Sequence, residues 1–296
     1  MNRTPSSINP EIGLAYGFLA VLGFSLTLPA TRAAVVDLDP IFVGLGRALV
    51  AAILAAALLR ITKQKRPDRR QLKSLLIVAF GVILGFPLLS AWAMQQLPAS
   101  HGAVVTGILP LATAIAGTIR AGDRPSRGFW IASITGSFTV IAFAVISGAG
   151  QPHVADLALI GASVAAAIGY AEGGRLAQVM GGWQVISWAL VLAAPIVALP
   201  VIVAVLEHGL VASPSAWLGF GYVSVISQFF AFFALYQGLV IGGVARVSQI
   251  QLLQPFLTIL ASALLLGEAI APFTIGAATL VAATVALGKK AAIKRS

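Results

Sequence analysis

Ten times between residues 12 and 288 the chain runs for about 20 residues with almost no charge. That is the length a helix needs to cross a bilayer. The runs fall at 12–31, 40–60, 72–95, 99–120, 128–148, 156–178, 183–206, 215–238, 244–265 and 269–288. Within hydrocarbon every backbone N–H and C=O must be satisfied inside the protein, and a helix does this along its own length. The sequence therefore predicts an all-α polytopic membrane protein of ten transmembrane helices. Composition excludes the soluble alternative. Only 9% of residues are charged, against about 25% in soluble domains. The longest polar connection, Thr62 to Gln71, leaves no room for a soluble domain. The first run is too long for a signal-peptide core and lacks a cleavage pattern, so it reads as an uncleaved first span.

The net charge of +10 would suggest nucleic acid in a soluble chain. Here basic residues flank the spans, as expected of cytoplasmic loops, and no basic face is left over for a nucleic acid. With the N-terminus placed inside, 17 of the 19 Lys and Arg residues fall on the inner side, while Arg32 falls outside and Arg47 within the second span. Asp37, Asp39 and Glu207 fall on the outer side. The asymmetry predicts both termini in the cytoplasm.

The chain also repeats itself. At an offset of 145 residues, Pro110 meets Pro255, Thr113 meets Thr258, Gly122 meets Gly267 and Asp123 meets Glu268. In the ninth run Gln251, Pro255, Thr258 and Ser262 share one helical face. The same face returns in the fourth run as Thr106, Pro110, Thr113 and Gly117. The expected units are residues 1–148, residues 156–288 and a basic tail, 289–296. A unit of five spans is odd, so the second copy enters the membrane from the opposite side. Such inverted repeats characterise secondary transporters, whose halves exchange inward-open and outward-open states around a midplane site.

Cysteine is absent, which excludes disulfides, thiol catalysis and thiolate-bound metals. No Gly-x-x-x-x-Gly-Lys-Ser/Thr phosphate loop occurs, and His101, His153 and His208 read as isolated. No enzyme, cofactor or metal is expected. The informative residues are instead the polar groups inside the apolar runs. Arg47 has two readings. It attracts a substrate carboxylate, or it reaches outward to Asp37 or Asp39, and the second is the expectation. Glu172 either pairs with Arg175 three residues on or serves as a charge or proton partner. Trp92, Tyr170, Trp188, Gln251 and Gln254 are the candidate pocket residues, because rings beside amides suit a small amphiphilic molecule. Pro110 and Pro255 are candidate hinges, each releasing the carbonyl four residues back, at Thr106 and Gln251. Pro87 is a further expected kink. Gly13-x-x-x-Gly17 and Gly81-x-x-x-Gly85 read as helix-packing motifs. Gly267-Glu268 reads as a helix stop followed by a cap for the next helix.

The five-plus-five layout, with a proline-bearing fourth span ending in Gly-acid, resembles the EamA type of the drug/metabolite transporter superfamily. The residues that carry the likeness are Pro110, Gly122 and Asp123, then Pro255, Gly267 and Glu268, with Arg47 in the second span. The resemblance implies a bacterial inner-membrane exporter of small metabolites with a cavity between its halves. The branch it looks most like exports amino acids, aromatic ones included. An exporter of cationic drugs is the alternative, and a channel a more distant one. The expected partners are a small-molecule substrate and the lipid bilayer, and the expected state is a monomer.

Overall fold

A computed structural model describes residues 10–121, 127–147, 153–242 and 250–290. These residues form helices and connecting turns, with no strand among them. Seven helical segments are long and apolar enough to cross a membrane: α1 (Glu11–Ala34), α2 (Phe42–Ile61), α3 (Arg69–Met94), α4 (Ala99–Gly117), α6 (Val154–Met180), α7 (Gly182–His208) and α8 (Pro214–Ile241). The other three are α5 (Arg127–Ser147), α9 (Gln251–Leu266) and α10 (Pro272–Lys290). Gly122 and Asp123 lie outside the described residues, as do 148–152, the start of the expected ninth span at 244–249, and most of the tail.

The helix pairing maps onto itself under the 145-residue offset. α1 packs along α8, and their offset counterparts α6 and α3 pack together in the same way. The pairs α2–α7, α4–α9 and α5–α10 each join a helix to its own counterpart. Irregularities repeat too. Residues Ala79–Gly85 of α3 form a wide π turn, and the offset carries them to 224–230, within the π-helical stretch Val223–Phe230 of α8. α4 breaks at Gly107 and Ile108, and α9 begins with a 3-10 turn over Gln251–Leu253. Pro110 and Pro255 each sit second in the helical segment that follows the break, where a missing N–H costs nothing. Pro255 is buried.

Two of the expected packing motifs sit at close crossings. A Cβ on Gly81 would lie 2.4 Å from the Ala165 carbonyl oxygen and 2.9 Å from Gly169 N. α3 and α6 therefore touch backbone to backbone at this point. On the other side of the bundle, a Cβ on Gly238 would stand 3.1 Å from Gly13 O and from Gly17 N.

Gly267 ends α9 in the left-handed region, at φ +65°, as the helix stop required. The acid after it does not cap the following helix. Glu268 instead accepts hydrogen bonds from Ala99 N at 2.7 Å and Ser100 N at 2.9 Å. It thus caps α4, its helix's own counterpart in the first half, and its charge faces the positive end of that helix dipole. Beside it, His101 is not isolated. Its Nε2 lies 2.6 Å from Asp156 Oδ1 on α6. His153 precedes α6 and takes the Ala155 N–H on Nδ1. Asp37 and Asp39 sit in the turn between α1 and α2. Asp37 accepts from Ser213 N and Oγ, which holds its carboxyl below the ordinary 3.8. Asp39 accepts from Ile41 N and Phe42 N at the start of α2.

Replacing Gly81 by Ala should force α3 and α6 apart and destabilise the protein by about 1–3 kcal/mol. An unchanged thermal midpoint in detergent would show that the crossing is looser than described. Glu268→Ala should remove the α4 cap and cost about 1 kcal/mol, read in the same unfolding measurement.

Candidate functional site

The centre of the bundle is set by a proline. In the wide turn of α3, Phe86 N–H donates five residues back to Gly81 O. Continuing that pattern, residue 87 would donate to Val82 O, but Pro87 has no N–H. Val82 O is left without its helical donor. Gln228 of α8 fills the vacancy, its Nε2 donating to Val82 O at 3.2 Å. The same amide then accepts through Oε1 from Arg47 Nε at 3.0 Å. Arg47 is the first α-helical residue after the π turn Phe42–Gly46 of α2. Three π-helical stretches, in α2, α3 and α8, thus meet in one hydrogen-bonded relay. Such bulges are frequent at functional sites.

Arg47 is 2% exposed, and neither acid beyond α1 reaches it. The expected link to Asp37 or Asp39 is absent because both carboxylates are taken by Ser213 and the α2 N-terminus. No carboxylate among the described residues forms an ion pair with Arg47.

Arg47 lines a narrow central cavity of about 20 Å³, room for a water and well below the roughly 300–1,000 Å³ of an open small-molecule site, so the bundle is closed around it. One wall is aromatic. Phe24, Tyr170 and Phe232 stand in mutual ring contact, with centroids 5.0 to 6.3 Å apart. The opposite character comes from Thr27, Ser227, Thr106 and Gln254. Thr27 and Ser227 share a hydrogen bond of 2.8 Å between α1 and α8. Thr106, Leu109 and Gln254 also line a second, smaller chamber of about 10 Å³ between α4 and α9, closed by Gln251, Pro255 and Thr258.

The structure places the expected pocket residues unevenly. Tyr170 and Gln254 are on the main cavity wall, and Gln251 is on the second chamber. Trp92 is 36% exposed on the outside of α3. Trp188 is partly buried against the core away from either chamber. Glu172 is 1% exposed and accepts from Arg175 Nη2 at 2.5 Å. Arg175 also donates to Ser74 Oγ of α3 at 2.8 Å. The carbonyl of Gln251 is not free for a substrate, because Gln254 N–H closes the 3-10 turn onto it. Likewise the Thr106 hydroxyl donates to Gly102 O at 2.7 Å. Pro110 lies in the helical stretch of α4, and its side chain is outside the described set.

Sequence reading missed Thr27, Ser227 and the pairing of Arg47 with Gln228. Hydroxyls in apolar helices commonly bond their own backbone, so nothing distinguished Thr27 from its neighbours. Pro87 was the one readable signal, since a proline in a span obliges some donor to serve a carbonyl behind it.

Residues 11–146 and 153–288 each match the EamA-like transporter family. An uncharacterized transporter, YdeK of Bacillus subtilis (strain 168), is 44% identical over 276 residues, covering 90% of this chain and 91% of its own. A crystal structure of a protein at 17% identity superposes with a TM-score of 0.67 over 93% of this chain and 95% of that one. At that identity the likeness concerns the fold alone. Two successive family matches fall on the two halves that the 145-residue offset and the helix pairing relate: the chain belongs to the EamA-like transporter family.

Proposed function

We propose that this transporter is a ten-span secondary carrier that exports amino acids or similar small metabolites by alternating access. The carrying observation is the central cavity, whose wall draws on both matched halves: Phe24, Arg47 and Thr106 from the first, Tyr170, Ser227 and Gln254 from the second. A relative motion of two such halves changes the cavity from one access to the other without moving the site along the chain. The cavity offers an aromatic surface next to amides and hydroxyls, which suits a solute with an apolar body and a polar head. In this reading the five-helix halves are inverted copies. Both termini lie in the cytoplasm of a bacterium with the chain in its inner membrane, and a single copy suffices.

The alternative cargo, a cationic drug, draws no support from the walls, where the charged residue among those described is an arginine. Glu172 is held by Arg175, so its first role in this reading is to tie α6 to α3 through Ser74. We assign it no direct contact with cargo.

Proteoliposomes preloaded with an unlabelled amino acid should take up the labelled one faster than empty vesicles. A panel with no saturable counterflow for any amino acid would remove amino acids as the cargo, and flux without trans-acceleration would indicate a channel. Gln254→Ala should remove one hydrogen bond worth about 1 kcal/mol and raise the half-saturation constant roughly fivefold at unchanged expression. An unchanged constant would place Gln254 off the transport route.

A further inference from the structure

From the geometry we infer that Arg47 is the anion-binding subsite of the central cavity, so that the carrier selects solutes by a carboxylate group. The inference rests on the cavity being the cargo site and names what that site reads.

Arg47 is nine-tenths and more buried, in a bilayer interior where a central arginine costs about 2.5–3.5 kcal/mol on insertion scales. Buried charges in proteins are normally paired, and among the described residues no carboxylate pairs with this one. Its hydrogen bond among those residues uses Nε, directed at Gln228 Oε1. That bond fixes the plane of the guanidinium from one side, and Gln228 is itself fixed by Val82 O. The Nη edge is left for the cavity that Arg47 lines. An oriented guanidinium edge matches the two oxygens of a carboxylate, whereas a lysine would present only a point charge. The relay is thus a built mount, made of a π turn, a proline-released carbonyl and a buried amide, and it holds one cation against a cavity.

The rest of the lining fits the other end of such a solute. Phe24, Tyr170 and Phe232 supply a continuous aromatic face, and nothing acidic stands among the described residues of either chamber. An ammonium group therefore meets only neutral acceptors, such as Tyr170 Oη and Gln254 Oε1, and feels the repulsion of Arg47. The ordering follows from charge alone. A net anion binds best, a zwitterion binds through its carboxylate while its ammonium is tolerated, and a cation binds worst.

Three probes of one skeleton test this: 3-phenylpropionate, phenylalanine and phenethylamine. Their binding to the purified full chain in lipid nanodiscs would be measured by calorimetry. 3-Phenylpropionate should bind at least tenfold tighter than phenethylamine, with phenylalanine between them. Arg47→Gln should abolish that preference, and Arg47→Lys should retain part of it. The series on the unaltered protein needs no variant to fold. Phenethylamine binding as tightly as the acid, or no binding of the acid at millimolar concentration, overturns the subsite. So does an Arg47→Gln protein that folds and keeps the preference. The binding series is independent of flux. An acid preference without counterflow of any solute would sink the carrier reading and leave the subsite standing, and counterflow without the preference would do the reverse.

Discussion

Everything at the centre of this transporter depends on one unmet acceptor. Pro87 removes the N–H that would serve Val82 O, and a carbonyl without a donor in a membrane interior is costly. Repair comes from another helix, through Gln228. Because an amide has an acceptor as well as donors, the repair creates a second demand, which Arg47 meets. A covalent property of one residue in α3 thereby dictates a polar residue in α8 and a charged one in α2. The wide turns in all three helices belong to the same construction, since a π turn alters the ladder locally and re-aims the side chains beside it.

The contacts between the halves are of two kinds. α3 meets α6 backbone to backbone at Gly81 and Gly169, and Arg175 adds a hydrogen bond from α6 to Ser74. That contact joins helices from different matched halves. α4 and α9 are of another kind. α4 is interrupted at Gly107–Ile108 and α9 opens on the 3-10 turn Gln251–Leu253, and a small polar pocket lies where they meet. At one end of the bundle they are held by Glu268 on the α4 N-terminus. A carboxylate on two backbone N–H groups is strong enough to set a resting geometry and weak enough to be exchanged for water.

Much of this was legible in the sequence, and the boundary of legibility is physical. Helices and their approximate positions followed from run length, because a bilayer fixes the length it accepts. The 145-residue register followed from paired prolines and Gly-acid dipeptides, since those residue types serve backbone needs that a repeated scaffold repeats. Side-chain partners across helices did not follow. Arg47 was expected to reach outward to Asp37 or Asp39 because they lie near the outer end of its own span. The turn between α1 and α2 commits both to local backbone donors first. His101 looked isolated because Asp156 is 55 residues away. Glu268 was assigned to its own following helix, although its true partner is α4 in the other half. In each case proximity in sequence competed with proximity across the bundle, and only three-dimensional packing decides between them.

The offset that relates the two scaffolds does not relate the residues on the cavity wall. Arg47 corresponds to Leu192, Tyr170 to Ser25, Gln228 to Ile83 and Pro87 to Phe232. Symmetry in the backbone is useful to a carrier because it makes two access states of similar energy, so modest differential binding can shift between them. Symmetry in the wall would be useless, because a small solute with a head and a tail has no two-fold axis. A charge needs to appear once, where its mount is, and the ring cluster once, at the other end of the solute. The repeat therefore keeps Pro110 and Pro255 with the irregular turns before them, and lets the polar contacts diverge. Two copies of Arg47 would also double the cost of a buried cation with one carboxylate to offset it. On the proposed carrier reading, the single arginine and its asymmetric relay are what two related halves need in order to bind an oriented molecule.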